Sequence, residues 1–191
     1  MYKVTNKIWF YCEVFYMEFT NVLRLRRSCR SYQKTQISEA QLTALLETAA
    51  LSPIGMGRYD RIQLRVVQDP EILDAINADF AASIGNVDAY PTYGAPTVIF
   101  VLTRREDPDI LSGANAACIV QDMSLAATNL GLGSVYLLGV CNELKDSAQT
   151  AALLRIPPEY RITSALSVGY ETEPAAEREP DLNKIQTLFL R

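Results

Sequence analysis

Apolar residues recur along this chain in two rhythms that alternate, one helical and one strand-like. Phe19, Val22, Leu23 and Leu25 form a first short stripe at helical spacing. A second helix is announced by Ser38 and Gln41 as a capping box, with Ile37 and Leu42 placed for a hydrophobic staple. Leu42, Leu45, Leu46 and Ala49 mark its face, and Pro53 ends it. Ile62, Leu64 and Val66 then alternate with Gln63 and Arg65, as in a half-buried strand over 62–67. Asp69 and Pro70 are a cap and a first helical residue, and Ile72, Leu73, Ile76 and Phe80 supply the buried stripe of that helix.

Further on, Thr97 to Leu102 is a continuous apolar run, short enough for a buried strand. A long helix is predicted over 113–129, with Ile119, Met123, Ala126, Ala127 and Leu130 on one face and Gly131 as its stop. Its alanines make it slim enough for close approach by another element. Ser134 to Leu138 and Ile162 to Val168 read as buried strands. Asn142 is placed to cap a helix running to about Leu154. Residues 52–57 and 85–96 are loops by their glycine and proline content. Tyr90, Tyr93 and Tyr136 are expected to pack as core aromatics.

The two ends differ from this body. Residues 1–16 include an aromatic stretch, Ile8 to Tyr16, interrupted by Glu13 and too short to span a bilayer. Met17 is the expected natural start and 1–16 an upstream extension; an intact mass from the native source that includes 1–16 would overturn that. Residues 17–170 read as one domain. Beyond Tyr170 the chain turns acidic and proline-rich, then apolar again at Leu182, Ile185, Leu188, Phe189 and Leu190. Such a tail must pack on its own domain or on a second subunit.

Composition narrows the chemistry. The chain has 191 residues, enough for one domain with a substantial core, and a formal net charge of −4 that argues against a general nucleic-acid binder. It has no histidine, so Ser-His and Cys-His mechanisms are excluded. Its four cysteines lack C-x-x-C spacing, and no metal site is expected. Against this acidic background stands Arg26-Arg27-Ser28-Cys29-Arg30, with Arg24 just before it. Guanidinium forks with an intervening hydroxyl suit a phosphate. A solvated basic helix end is the alternative reading.

The order of four motifs resembles the nitroreductase family of FMN-dependent oxidoreductases. Arg26-Arg27-Ser28-Cys29-Arg30 is similar to the family's R-R-S-x-R. Ser52-Pro53-Ile54-Gly55-Met56-Gly57 stands where the family often shows A-P-S-G-x-N. Gly94-Ala95-Pro96-Thr97-Val98-Ile99 resembles its A-P-x-x-I strand entry. Residues 121–134, from Gln121-Asp122-Met123 to Gly131-Leu132-Gly133-Ser134, resemble Q-N-M-x-L-A-A-x-x-L-G-L-G-S. The resemblance implies an α+β, three-layer fold with a mixed, largely antiparallel sheet flanked by helices. It also implies a homodimer with two FMN sites at the subunit interface and a C-terminal extension, here 171–191, that crosses the dimer.

It further implies the site. Arg26, Ser28 and Arg30, with Arg27 ranked lower, match positions at the flavin phosphate and ribityl chain. Pro53, Ile54, Gly55 and Gly57 match the loop that passes the ring. Leu137, Leu138 and Gly139 match a segment whose backbone amides face the flavin's N5 and O4 edge, and Arg178 matches a basic position that reaches the phosphate. Cys29 is expected to be a filler, although arginine neighbours favour an acidified thiol. Asp122 reads as a helix-surface carboxylate. The chain departs from the pattern at Ile54, at Gly57, which offers no amide, at Tyr59-Asp60-Arg61 and at Ala176. The implied activity is NADH- or NADPH-driven reduction of a small acceptor such as a nitroaromatic or quinone, in two alternating half-reactions with the flavin carrying the chemistry. The rival reading is a protein that stores, senses or delivers FMN. No segment reads as an export signal or a membrane span, and the expected location is the cytoplasm.

Overall fold

A computed structural model describes residues 17–191; the readings for 1–16 lie outside it. Four strands, β1 (Ile62–Val67), β2 (Thr97–Arg104), β3 (Gly133–Leu137) and β4 (Tyr160–Gly169), form one sheet in the order β1-β2-β4-β3. Every strand pairing is antiparallel, and a register shift falls between Val101 and Leu102 opposite β4. The parallel component of the expected mixed sheet is one isolated bridge, Ser28 to Ser134.

Among the described residues six α-helices surround the sheet: α1 (Phe19–Leu25), α2 (Glu39–Leu51), α3 (Pro70–Ile84), α4 (Asp109–Asn129), α5 (Gly139–Leu144) and α6 (Ala148–Leu153). Two apolar clusters, one on each sheet face, make the three layers. Leu73 and Ile76 of α3 and Cys141 and Leu144 of α5 pack with Val98, Phe100 and Leu102. Leu45 of α2 and Ile119 and Met123 of α4 pack with Ile99 and Val101. The unbroken apolar run in β2 follows from this: consecutive side chains point to opposite faces, and both faces are covered.

Local signals fix several boundaries. Ser38 Oγ accepts from Gln41 N, and Gln41 Oε1 accepts from Ser38 N, so the capping box forms. Asp69 caps α3 through Glu71 N, and Gly85 ends that helix in the left-handed region at φ 66°.

Other expectations are corrected. α4 starts at Asp109, directly after Pro108, four residues before Gly113. It is long and apolar enough to cross a membrane by composition. Here it is a core helix, packed on α2 and on β2, β3 and β4, with Ser112, Asn115, Ser124 and Thr128 buried. The helix expected from Asn142 to Leu154 is two helices, with Asn142 inside the first. The second is capped by Ser147, whose Oγ accepts from Thr150 N and donates to Asp79 Oδ2 at 2.5 Å. That clamp to α3 redirects the chain. Tyr90, Tyr93 and Tyr136 are exposed or nearly so rather than core aromatics, and α1 buries only Val22, leaving Phe19 and Leu23 exposed. The apolar residues of the C-terminal tail lie 70–88% exposed on their own chain.

Candidate functional site

The turn after α1 crosses one end of the sheet. Cys29 N donates to Ser134 O at 2.9 Å, and Tyr32 bridges to Glu171 just past β4. In this extended segment the side chains alternate. Cys29 is buried and Arg27 is turned to Glu171, whereas Arg26 is part-exposed and Ser28 and Arg30 are exposed. The run therefore presents its first, third and fifth residues on one face. Cys29 is a filler, as expected: burial raises its thiol pKa and outweighs the arginines, so it is not acidified.

Arg178 completes this face from the far end of the chain. Its guanidinium donates to the backbone carbonyls of Leu23, Arg24 and Arg26. Burial first, and the charge of Arg178 second, lower the pKa of Arg26. Among the described residues neither Arg26, Arg30 nor Arg178 forms an ion pair; Arg30 instead lies 5.8 Å from the ring centre of Tyr93. A cationic group held together without a carboxylate calls for an anion. The other two arginines are committed: Arg24 to Glu179 at 3.2 Å, and Arg27 to Glu171 at 3.0 Å. Arg27, expected on the ligand, thus has its guanidinium engaged elsewhere.

The ring loop lies apart. Pro53 is exposed, Ile54 is buried, and Gly55 N donates to Asn115 Oδ1 at 2.9 Å. A Cβ on Gly55 would stand 2.8 Å from Leu111 Cδ1, so this glycine permits the loop to close on α4. Met56 and Gly57 both take the left-handed conformation, and Gly57 borders open space. Leu137 is the buried last residue of β3, and Leu138 and Gly139 are exposed at the turn into α5.

The structure brings Arg178 onto the backbone at Arg26, with Ser28 and Arg30 following exposed along the same extended segment. It sets Leu137–Gly139 at the far end of β3. The ring loop is farther from the arginines: Ser124 Oγ meets Ser134 Oγ at 2.9 Å near them, whereas Asn115 holds the loop. Nine residues of α4 separate these two anchors, about 13 Å along the helix axis. Sequence reasoning missed Asn115 and Glu171. Asn115 had a signal, an amide on the buried face of an apolar helix; Glu171 had none beyond following a strand.

Fold and site together define a class: an α+β domain in which Arg178, from beyond the sheet, joins the arginine turn that follows the first helix. The nitroreductase family pattern matches residues 23–170, and this chain belongs to that family. It is 28% identical, over 86% of this chain and 91% of the relative, to an Archaeoglobus fulgidus protein named as an NADH dehydrogenase/NAD(P)H nitroreductase. The fold is shared with a Bacteroides fragilis nitroreductase solved with bound FMN, at a TM-score of 0.78 and 24% identity over 91% of this chain and all of that one. A Desulfitobacterium hafniense nitroreductase, also with bound FMN, gives 0.76 and 22% over 90% and 98%.

Proposed function

We propose that this protein is an FMN-dependent oxidoreductase that takes electrons from NADH or NADPH and passes them to a small acceptor, such as a nitroaromatic or quinone, with donor and acceptor alternating at one site. The observation that carries this is that Arg26, Arg30 and Arg178, on the segment that carries the Ser28 hydroxyl or bonded to it, have no carboxylate partner among the described residues. Their donors fit a dianionic phosphate ester, which FMN has. Arg26, Ser28, Arg30 and Arg178 would hold that phosphate. Pro53, Ile54, Gly55 and Gly57 would pass the ring, and the backbone of Leu137, Leu138 and Gly139 would face its edge. When bound, FMN supplies hydride acceptance and release. The chain's own residues bind and orient, and none is cast as acid or base, in keeping with a sequence without histidine. The cytoplasm is where the reduced nicotinamide donor would be drawn from.

The test is an anaerobic visible spectrum before and after adding NADH or NADPH. A flavin band that bleaches within seconds is expected, and the faster donor identifies the physiological one. A flavin band that persists would overturn the oxidoreductase reading in favour of storage, sensing or delivery.

We also propose a homodimer. The exposed apolar tail supplies a surface for the second copy. Deleting Leu182–Arg191 is expected to shift sedimentation from dimer toward monomer. An undiminished dimer would remove the tail from the interface.

A further inference from the structure

Glu171 lies two residues past the end of β4, and its side chain is only 15% exposed. It stands on ground cleared by a glycine. A Cβ on Gly133 would lie 2.3 Å from Glu171 Cγ and 2.9 Å from Cys29 Cβ, closer than atoms pack. In that slot Glu171 Oε2 accepts from Arg27 Nη2 at 3.0 Å, and the same nitrogen donates to Glu173 O at 2.6 Å. The backbone of Glu171 holds the other limb of the turn. It bridges to Tyr32, and its carbonyl accepts from Gln33 Nε2 at 2.9 Å. The next residue adds Thr172 N to Ser31 O at 3.3 Å. One residue therefore grips the arginine turn by a side chain at Arg27 and by backbone at Tyr32.

A carboxylate beside an anion grip has two opposed effects. Its charge weakens the attraction for a phosphate. Its geometry helps, because a side chain fixed to one side of an extended segment turns its neighbours to the other. We propose that Glu171 is a positioning residue: by holding Arg27 to its own side of the extended segment it aims Arg26, Ser28 and Arg30 to the other, at the phosphate. This rests on the FMN reading above. The charge of Arg27 is spent on Glu171, so the pair acts on ligand binding through shape, and Arg27 is part of the support instead of a phosphate ligand.

The two effects differ in sign, which makes the experiment decisive. Glu171→Gln keeps the bulk above Gly133 and removes the charge. Dissociation constants for FMN and for riboflavin, which lacks the phosphate, are read by flavin fluorescence on the full chain. Positioning predicts that Glu171→Gln raises the FMN constant about tenfold, the scale of a charge-assisted hydrogen bond, and leaves that of riboflavin unchanged. Arg27→Met gives the same rise, and the double variant adds nothing further. An FMN constant that stays or falls means that Glu171 is only a counter-charge and overturns the proposal. Equal losses for both ligands mean general destabilisation and overturn it as well. A wild-type protein that binds neither ligand overturns the FMN reading and this proposal together, and the wild-type titration alone identifies that case.

Discussion

Arg26→Ala is expected to raise the dissociation constant for FMN by roughly ten- to a hundredfold, about 1.5–3 kcal/mol for a hydrogen bond to a charged group. The effect is placed on Arg26 because its surroundings already disfavour its charge. Burial and the nearby Arg178 both lower its pKa, and no described carboxylate relieves it. An incoming phosphate would supply that relief. Replacing Arg26 leaves Arg178 attached to the carbonyls of Leu23 and Arg24, so half of the grip survives. Titration at two salt concentrations checks this: wild-type affinity falls as salt rises, and the variant falls less steeply. An unchanged affinity would take Arg26 out of the site.

Phe100→Ala is expected to cost about 3–5 kcal/mol of stability, the range for emptying a buried aromatic site. Phe100 is 1% exposed in the second position of the sheet, with Ala165 beside it on β4 and Arg65 beside it on β1. Ala165 is too small to fill the space, and the backbone ladders on both sides keep β2 from collapsing into it. Domains of this size are stable by about 5–15 kcal/mol, so a large fraction would be lost. Urea unfolding measures it as a lower midpoint at constant slope. A cost under about 1 kcal/mol would mean that α3 and α5 close over the gap.

Much of the fold was legible because its signals are local. The capping box at Ser38 and Gln41 and the cap and proline at Asp69-Pro70 each lie within a few residues and form as read; the strand over 62–67 also forms, but its alternation fails at the end, where Val66 is exposed and Val67 is buried. The misreadings have distant causes. Asp79 fixes Ser147 from 68 residues away, so the helix past Asn142 breaks where its own sequence does not demand it. Tyr93 and Tyr136 carry core-like side chains, yet the surfaces they face are not covered within this chain.

The arginine cluster shows the same division. The sequence by itself determined that a cationic turn with a hydroxyl follows the first helix, that no histidine is available to any chemistry, and that helices and strands alternate into an α+β domain. These follow from residue type and short-range periodicity. Only the tertiary structure decided which arginines remain without a carboxylate. Arg178 reaches Arg26 across 152 residues, and Glu171 captures Arg27 across 144. Adjacent arginines of one chemistry thus receive opposite assignments, because charge pairing depends on which segments meet in space and not on their order along the chain.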